Sequence, residues 1–479
     1  MSPMTVEQPL RVLCEHRFGE PVDRLVSLKG DASARKLFRL STASRTVIGV
    51  LNADARENRA FLEFSRHFKQ CGLPVPEIYA EDLDRGMYLE EDLGDMTLFQ
   101  FLSTTRVNDE LLPETLGLYR QVVALLPRFQ IEAGRTLNYE VCYPRASFDK
   151  QSMLWDLNYF KYYFLRLAKI PFSEQALEED FERLAEFLLQ ADRRFFLYRD
   201  FQSRNIMVRD GGPWFIDYQG GRRGALQYDL ASLLFDAKAD LPVEVREELL
   251  LRYLDAVATL EPIDRNVFLA YFPAFVYIRI MQAMGAYGLR GFYERKNHFL
   301  ASIPYAVRNL EYLLRTADLP VALPELTQVW RRLVASSSLR QFGTASLKLT
   351  VRIQSFSYQD GLPSDEKGHG GGYVFDCRAL PNPGKFEQYG SLTGRDDVVV
   401  AFLEREAAVR DFLGSVFALI DRTVENYQIR NFTDLLVAFG CTGGQHRSVY
   451  CAEKLAQHLR EQFPVNVEVR HLAQEQEAR

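Results

Sequence analysis

The stretch from Phe195 to Tyr218 restricts this chain more than any other. Three short apolar strings, Phe195–Tyr198, Ile206–Arg209 and Trp214–Ile216, read as strands. Asp210-Gly211-Gly212 reads as the turn between the second and third. Between the first two lies Arg199-Asp200-Phe201-Gln202-Ser203-Arg204-Asn205, which follows neither a helical nor a strand period. Asp200 and Asn205 are five positions apart, and Asp217 follows directly on the last strand. Strands this short are not stable alone and need packing partners. Amphipathic stretches supply them, at Asn108–Ile131, Leu154–Lys169 and Ser173–Leu189 before the island, and at Val243–Leu260, Arg265–Tyr287 and Asn297–Arg315 after it.

The region upstream is different. Leu25–Leu40 reads as strand, turn, strand, and Thr46–Leu51 as a further strand. Arg56–Gln70 has helical periodicity with Phe61, Phe64 and Phe68 on one face, and Gly72 and Pro74 end it. Met87–Glu90 is another short strand. The expected architecture is therefore α+β and bilobal, a small β-rich lobe over residues 1–95 and a large helical lobe over 96–318. Pro320, Pro324 and Ser336-Ser337-Ser338 mark a linker over 319–345. Residues 346–479 read as a separate α/β domain. Its signals are a strand at Leu347–Gln354, a glycine-rich loop at Gly368–Gly372, a strand at Leu435–Phe439 and a helix from about Ser448 to Leu459.

Bulk properties narrow the function classes. A chain of 479 residues has room for several cores. Its net charge of −6 argues against a broad basic surface for nucleic acid. The six cysteines form no CxxC pair and read as reduced thiols of a cytoplasmic protein. Met1–Leu10 lacks the basic-then-apolar pattern of a secretion signal, and no run approaches 18 uninterrupted apolar residues, so no membrane association is expected.

The chemistry comes from the island. Phosphoryl transfer needs a carboxylate beside the attacking hydroxyl and oxygen ligands that hold magnesium on the phosphates. Asp200 suits the first task, Asn205 and Asp217 the second. With Tyr228-Asp229-Leu230-Ala231 downstream, Leu197–Met207 and Phe215–Leu234 resemble the aminoglycoside phosphotransferase superfamily, and within it the cell-wall sugar kinases of the AmgK type. The resemblance covers about residues 15–315. It implies ATP and Mg2+ as cofactors, a sugar or amino-sugar hydroxyl as acceptor, Asp200 as catalytic base, and Asp229 as an anchor of the catalytic loop. It makes Gly30-Asp31-Ala32-Ser33-Ala34-Arg35 the turn over the phosphates. It also makes Leu89–Leu93, with Glu91 and Leu93, the hinge that reads adenine. Arg204 and Trp155 are the acceptor-side candidates. The chain departs from the wider kinase pattern in two ways. Thr46–Asn52 has no strand-three lysine, so Arg35, Lys36 or Arg39 must supply the charge, with Glu57 or Glu63 as nominal partner. Tyr198 stands where histidine is common.

In the last domain, Cys441-Thr442-Gly443-Gly444-Gln445-His446-Arg447-Ser448 joins a strand to a helix, a setting that suits an anion. Ser355–Gly361, Tyr373–Pro383, Thr393-Gly394 and Gly440–Ala452 resemble the C-terminal domain of the RapZ family of RNase adapters. That likeness implies an amino-sugar-phosphate pocket at Gly440–Ser448 with Arg378 and Ser355. From Ala345 onward 15 Lys and Arg face 18 Asp and Glu, which does not favour an RNA partner. Two other readings remain open: a nucleotide-binding regulator or adapter without catalysis, and a phosphatase using the Cys441-x5-Arg447 pattern.

Overall fold

Alternating apolar residues over Arg24–Leu28 (β1), Lys36–Ser41 (β2), Thr46–Leu51 (β3), Ile78–Asp82 (β4) and Met87–Glu91 (β5) build one antiparallel sheet in the order β1-β2-β3-β5-β4. The computed structural model describes residues 7–28, 35–106, 111–342, 349–363, 372–429, 432 and 434–477. They divide into two compact units, residues 1–294 with 302–340, and residues 295–301 with 341–479.

Both faces of the first sheet are covered. The helix Gln8–Phe18 (α1), which the sequence reading did not identify, puts Leu10 and Cys14 against Phe38, Leu40, Val47, Met87 and Leu89. Helix Ala55–Gln70 (α2) opens on Asp54, whose carboxylate caps the amides of Arg56 and Glu57. Its Phe61, Phe64 and Phe68 are all buried, as their spacing requires.

The helical lobe encloses two short β ribbons. Strand Phe195–Leu197 (β6) pairs with Arg222–Gly224 (β9), and Ile206–Arg209 (β7) pairs with Gly212–Phe215 (β8). Asp210 and Gly211 both have positive φ, 52° and 75°, as a two-residue hairpin turn demands. Around the ribbons lie the helices Lys150–Phe160 (α3), Glu174–Leu188 (α4), Gln227–Leu234 (α5), Arg265–Tyr287 (α6) and Ile303–Thr316 (α7). The segment Arg265–Tyr293 is long and apolar enough to cross a bilayer, but its most apolar stretch is 61% buried within this fold.

The expected linker is a correction. Residues 324–335 form a helix, Pro324–Ala335 (α8), and Ser337–Gln341 a further turn of helix. Leu326, Val329, Trp330 and Leu333 sit on one buried stripe of α8. Trp330 stacks on Tyr277 of α6 with ring centroids 3.9 Å apart, and the Leu326 amide donates to Asp180 of α4 at 2.8 Å. Proline is favoured at a helix N-terminus, so Pro324 starts this element instead of marking a break.

The second unit is a parallel sheet in the order β11-β12-β10-β13. Its strands are Thr350–Ser357 (β10), Tyr373–Asp376 (β11), Asp434–Cys441 (β12) and Asn466–His471 (β13). Helices Ala407–Ile429 (α9) and Arg447–Gln462 (α10) contribute Val416, Ile420, Leu455 and Leu459 to a core with Val351, Ile353, Val437 and Phe439. The sequence reading did not identify α9. The glycine-rich loop expected at Gly368–Gly372 lies outside the described residues except for Gly372.

Candidate active site

The catalytic loop hangs from one buried carboxylate. Asp229 of α5 is fully buried and accepts from the amides of Tyr198 (2.8 Å) and Arg199 (3.0 Å) and from Gln130 Nε2 (2.9 Å). Burial pushes its carboxyl up to about 6 against those three donors. The Tyr198 hydroxyl donates to the Ile216 carbonyl at 2.7 Å, tying the loop to the strand that ends before Asp217. Arg199 has φ +85°, a left-handed conformation that a non-glycine residue adopts at a cost. It is held there by Asp156 of α3, which accepts from Nη1 at 2.7 Å and Nη2 at 2.6 Å, and by the Tyr228 hydroxyl at 2.6 Å. The sequence reading did not identify this brace, because nothing in sequence pairs residues 156 and 199.

Within this frame Asp200, Asn205 and Asp217 converge. Asn205 Nδ2 donates to the Asp200 carbonyl (2.9 Å) and to Asp217 Oδ2 (3.0 Å). Its Oδ1 therefore remains as a donor atom, and with the Asp217 carboxylate it forms a pair of hard oxygen ligands suited to a small divalent cation. Asp217 has φ +68°. Its Oδ1 accepts from Gln219 Nε2 and from Arg35 Nη2, both at 2.8 Å. Burial raises the Asp200 carboxyl above the ordinary carboxylate range, Arg199 opposes that rise, and Asp217 adds to it.

Arg35 decides which cation replaces the absent lysine. Its guanidinium also lies 3.4 Å from Glu57 of α2, so the Arg35–Glu57 pair spans sheet and helix as a lysine and glutamate would. Arg39 is committed elsewhere, to Asp92 (2.7 Å) and Asp95 (2.8 Å). Lys36 forms no ion pair among the described residues. Gly30, Asp31, Ala32, Ser33 and Ala34 lie outside the described residues. At the end of β5, the Glu91 side chain binds Arg209 at 2.6 Å and its amide donates to the Glu77 carbonyl at 2.9 Å. Leu93 is buried.

Two arginines that the sequence reading did not single out are buried in this unit. Arg222 is 6% exposed and makes one hydrogen bond, to the Gly220 carbonyl at 3.0 Å. Burial and the nearby Arg199 lower it to about 10. Arg279, also buried, donates from Nε to Ser232 at 2.8 Å. Both bear electrostatically on Asp200. Arg204 makes no hydrogen bond or ion pair among the described residues. Trp155 is 48% exposed, with Arg145 over its ring.

In the second unit the loop after β12 leads into α10. The amides of Thr442 through Val449, which lead into the N-terminus of α10, donate to no partner among the described residues. The expected side-chain ligands are spent on structure instead. Gln445 Nε2 donates to the carbonyls of Gly390 and Leu392, and His446 Nε2 lies 2.8 Å from the Tyr389 carbonyl. Arg447 donates to the carbonyls of Arg378 (2.9 Å) and Leu380 (3.1 Å) instead of forking into the loop. Arg378 pairs with Asp376 at 2.7 Å, and Ser355, fully buried, bonds His471 at 2.8 Å. Cys441 is 3% exposed with Sγ 3.1 Å from Ser448 Oγ. A thiol so enclosed, with its arginine turned to carbonyls, lacks the access and charge that a phosphatase nucleophile needs. What the loop keeps free of hydrogen-bond partners is backbone, and a Cβ at Gly443 would meet nothing within 4 Å.

Comparison with known proteins agrees with these two units. Residues 24–264 match the model of the phosphotransferase enzyme family, and residues 349–475 that of the RapZ C-terminal domain. A nucleotide-binding protein of Thioalkalivibrio sulfidiphilus is 41% identical over 123 residues, which are 26% of this chain and 41% of that protein. The RNase adapter protein RapZ of Yersinia pestis is 36% identical over 162 residues, 34% of this chain and 54% of that one. The chain spans about half the length of the curated relatives it matches. Among solved structures, choline kinase LicA from Streptococcus pneumoniae aligns at 16% identity, covering 64% of this chain and 98% of that one with a TM-score of 0.42. Spectinomycin phosphotransferase APH(9)-Ia aligns at 12% identity, covering 70% and 99%, with a TM-score of 0.44. The family match over half of the chain makes the assignment: this chain belongs to the phosphotransferase enzyme family and carries a RapZ C-terminal domain behind the phosphotransferase domain.

Proposed function

We propose that the first unit transfers the γ-phosphoryl group of ATP to a sugar or amino-sugar hydroxyl, and that the second unit binds a sugar phosphate. The hydrogen bonds by which Asn205 joins the Asp200 carbonyl to the Asp217 carboxylate carry the first half of this reading. Asp200 accepts the proton of the attacking hydroxyl as the new O–P bond forms and the bond to the ADP oxygen breaks. Asn205 and Asp217 would hold magnesium, which supplies charge neutralisation on the phosphates when bound. Arg35 adds fixed positive charge on the same side. Buried Arg222 and Arg279 favour a neutral or anionic acceptor over a polycationic one, because a second buried positive charge beside them is repelled.

A transfer assay from ATP to a panel of hexoses and amino sugars tests the first half, with Asp200→Asn as control. Turnover by wild type that is lost in the variant supports it. If both proteins are inert on every sugar, a nucleotide-binding regulator takes its place. One observation favours that second reading, namely that Arg35 already occupies Asp217 Oδ1.

The open amides of Thr442–Val449 carry the second half. Titration of the full chain with glucosamine-6-phosphate tests it, and absence of saturable binding removes it. The RapZ-like part brings adapter roles into view, but the acidic balance from Ala345 onward disfavours RNA as its ligand.

A further inference from the structure

Glu90 belongs to the nucleotide wall of the first unit, yet neither the catalytic loop nor the hinge uses its carboxyl. Strand β5 alternates across the sheet. Met87 and Leu89 enter the core under α1, so Tyr88 and Glu90 face the opposite side. Tyr88 stacks on Phe61 of α2 with centroids 5.3 Å apart, and Phe61 stacks on Tyr218 at 5.1 Å. Glu57 lies one helical turn before Phe61, and Asp217 directly precedes Tyr218. Glu90 therefore shares a wall with Arg35, Glu57 and Asp217.

On that wall its situation is unusual. Glu90 Oε2 is buried and has no hydrogen-bond partner. Burial holds the carboxyl up to about 8, with Arg35 opposing that shift and Asp217 adding to it. Leaving a buried acceptor unpaired costs stability, and such a cost persists in a fold where another state of the site uses the group. The partner for that state is on the page. Both oxygens of Asp217 are occupied, Oδ1 by Arg35 and Gln219, Oδ2 by Asn205. When Asp217 turns an oxygen to a cation, Arg35 must give up Oδ1. Glu57 already shares the guanidinium, and Glu90 Oε2 is an acceptor without a hydrogen-bond partner on the same wall.

We propose that Glu90 is a positioning residue for the cation-loaded nucleotide, accepting the Arg35 guanidinium when Asp217 is released to the cation. The proposal rests on the reading of Asn205 and Asp217 as cation ligands. Among the described residues Arg35 is the guanidinium between Glu57 and Asp217, so carboxylates outnumber the cation there. A divalent cation arriving with phosphates relieves that excess, and Glu90 then holds Arg35 on the sheet side, where the strand-three lysine is absent.

Calorimetric titration of the full chain with ADP, once with magnesium and once with EDTA, tests this, alongside thermal unfolding of the unliganded protein. Loss of one charge-assisted acceptor in Glu90→Gln should weaken Mg-ADP binding about tenfold. Binding of ADP in EDTA should stay as in wild type, and the unliganded protein should melt higher because the unpaired buried carboxyl is gone. Glu90→Asp, which keeps the acceptor, should recover part of the magnesium-dependent affinity. If Glu90→Gln keeps the full wild-type gain from magnesium, Glu90 has no such role. If affinity falls equally with and without magnesium, its role is merely structural and the proposal is overturned. If wild type itself gains nothing from magnesium, and Asp217→Asn changes neither titration, the cation reading has failed and the proposal with it.

Discussion

Arg35 Nη2 lies 2.8 Å from Asp217 Oδ1, which joins the start of β2 to the residue that follows the β7–β8 hairpin. A phosphotransferase domain without the strand-three lysine thus keeps a fixed cation at its phosphate end, drawn from a neighbouring strand. Arg35→Ala should raise the KM for ATP about tenfold or more, with a smaller loss in kcat. Arg35→Lys should recover only part, because a compact ammonium lacks the planar, fixed geometry with which the guanidinium places Nη2 between Glu57 and Asp217. Steady-state kinetics at varied ATP separate the two.

Asp200→Asn keeps the shape of the loop but removes the proton acceptor. Turnover should fall by about 10²–10⁴, the usual contribution of a general base. Nucleotide affinity, read by fluorescence or calorimetry, should be unchanged.

Asp156→Ala strands the Arg199 guanidinium in its buried, left-handed position. Breaking a buried pair in this way costs about 3–5 kcal/mol, measurable by urea denaturation of the full chain. Transfer activity should drop as well, because Arg199 sets the approach to Asp200.

The buried Glu90 carboxyl makes stability depend on pH. Its folded value, about 8, lies above its ordinary 4.5, so the folded protein binds the extra proton. The stability from this group is complete below about pH 4.5 and is lost as pH rises through about 8. Melting temperatures across that window should fall with pH in wild type, and the slope should be shallower in Glu90→Gln.

Gly444 has φ +68°, and a Cβ there would sit 2.6 Å from the Ala473 Cβ and 3.0 Å from the Ser357 amide nitrogen. Gly444→Ala should therefore distort the loop of open amides. Glucosamine-6-phosphate binding by the full chain should be lost, while phosphoryl transfer in its absence persists.

By itself the sequence determined the two-part architecture, the strands around Asp200 and the spacing of Asp200, Asn205 and Asp217. These are local matters. Strand alternation, the Asp210-Gly211 turn and the helical stripe of Phe61, Phe64 and Phe68 are written in residues a few positions apart. The sequence also put Arg35, Lys36 and Arg39 forward as substitutes for the missing lysine but did not choose among them. The tertiary structure decided that, because the choice depends on which guanidinium meets Glu57, 22 positions on, and Asp217, 182 positions on. The Asp156–Arg199 brace and the burial of Glu90 Oε2, Arg222 and Arg279 likewise depend on how distant segments pack. In the second unit the sequence located the anion loop, but packing reassigned its chemistry. Gln445, His446 and Arg447 are turned to backbone carbonyls of the 378–392 segment. The amides of Thr442–Val449, whose freedom no residue type records, keep no partner among the described residues.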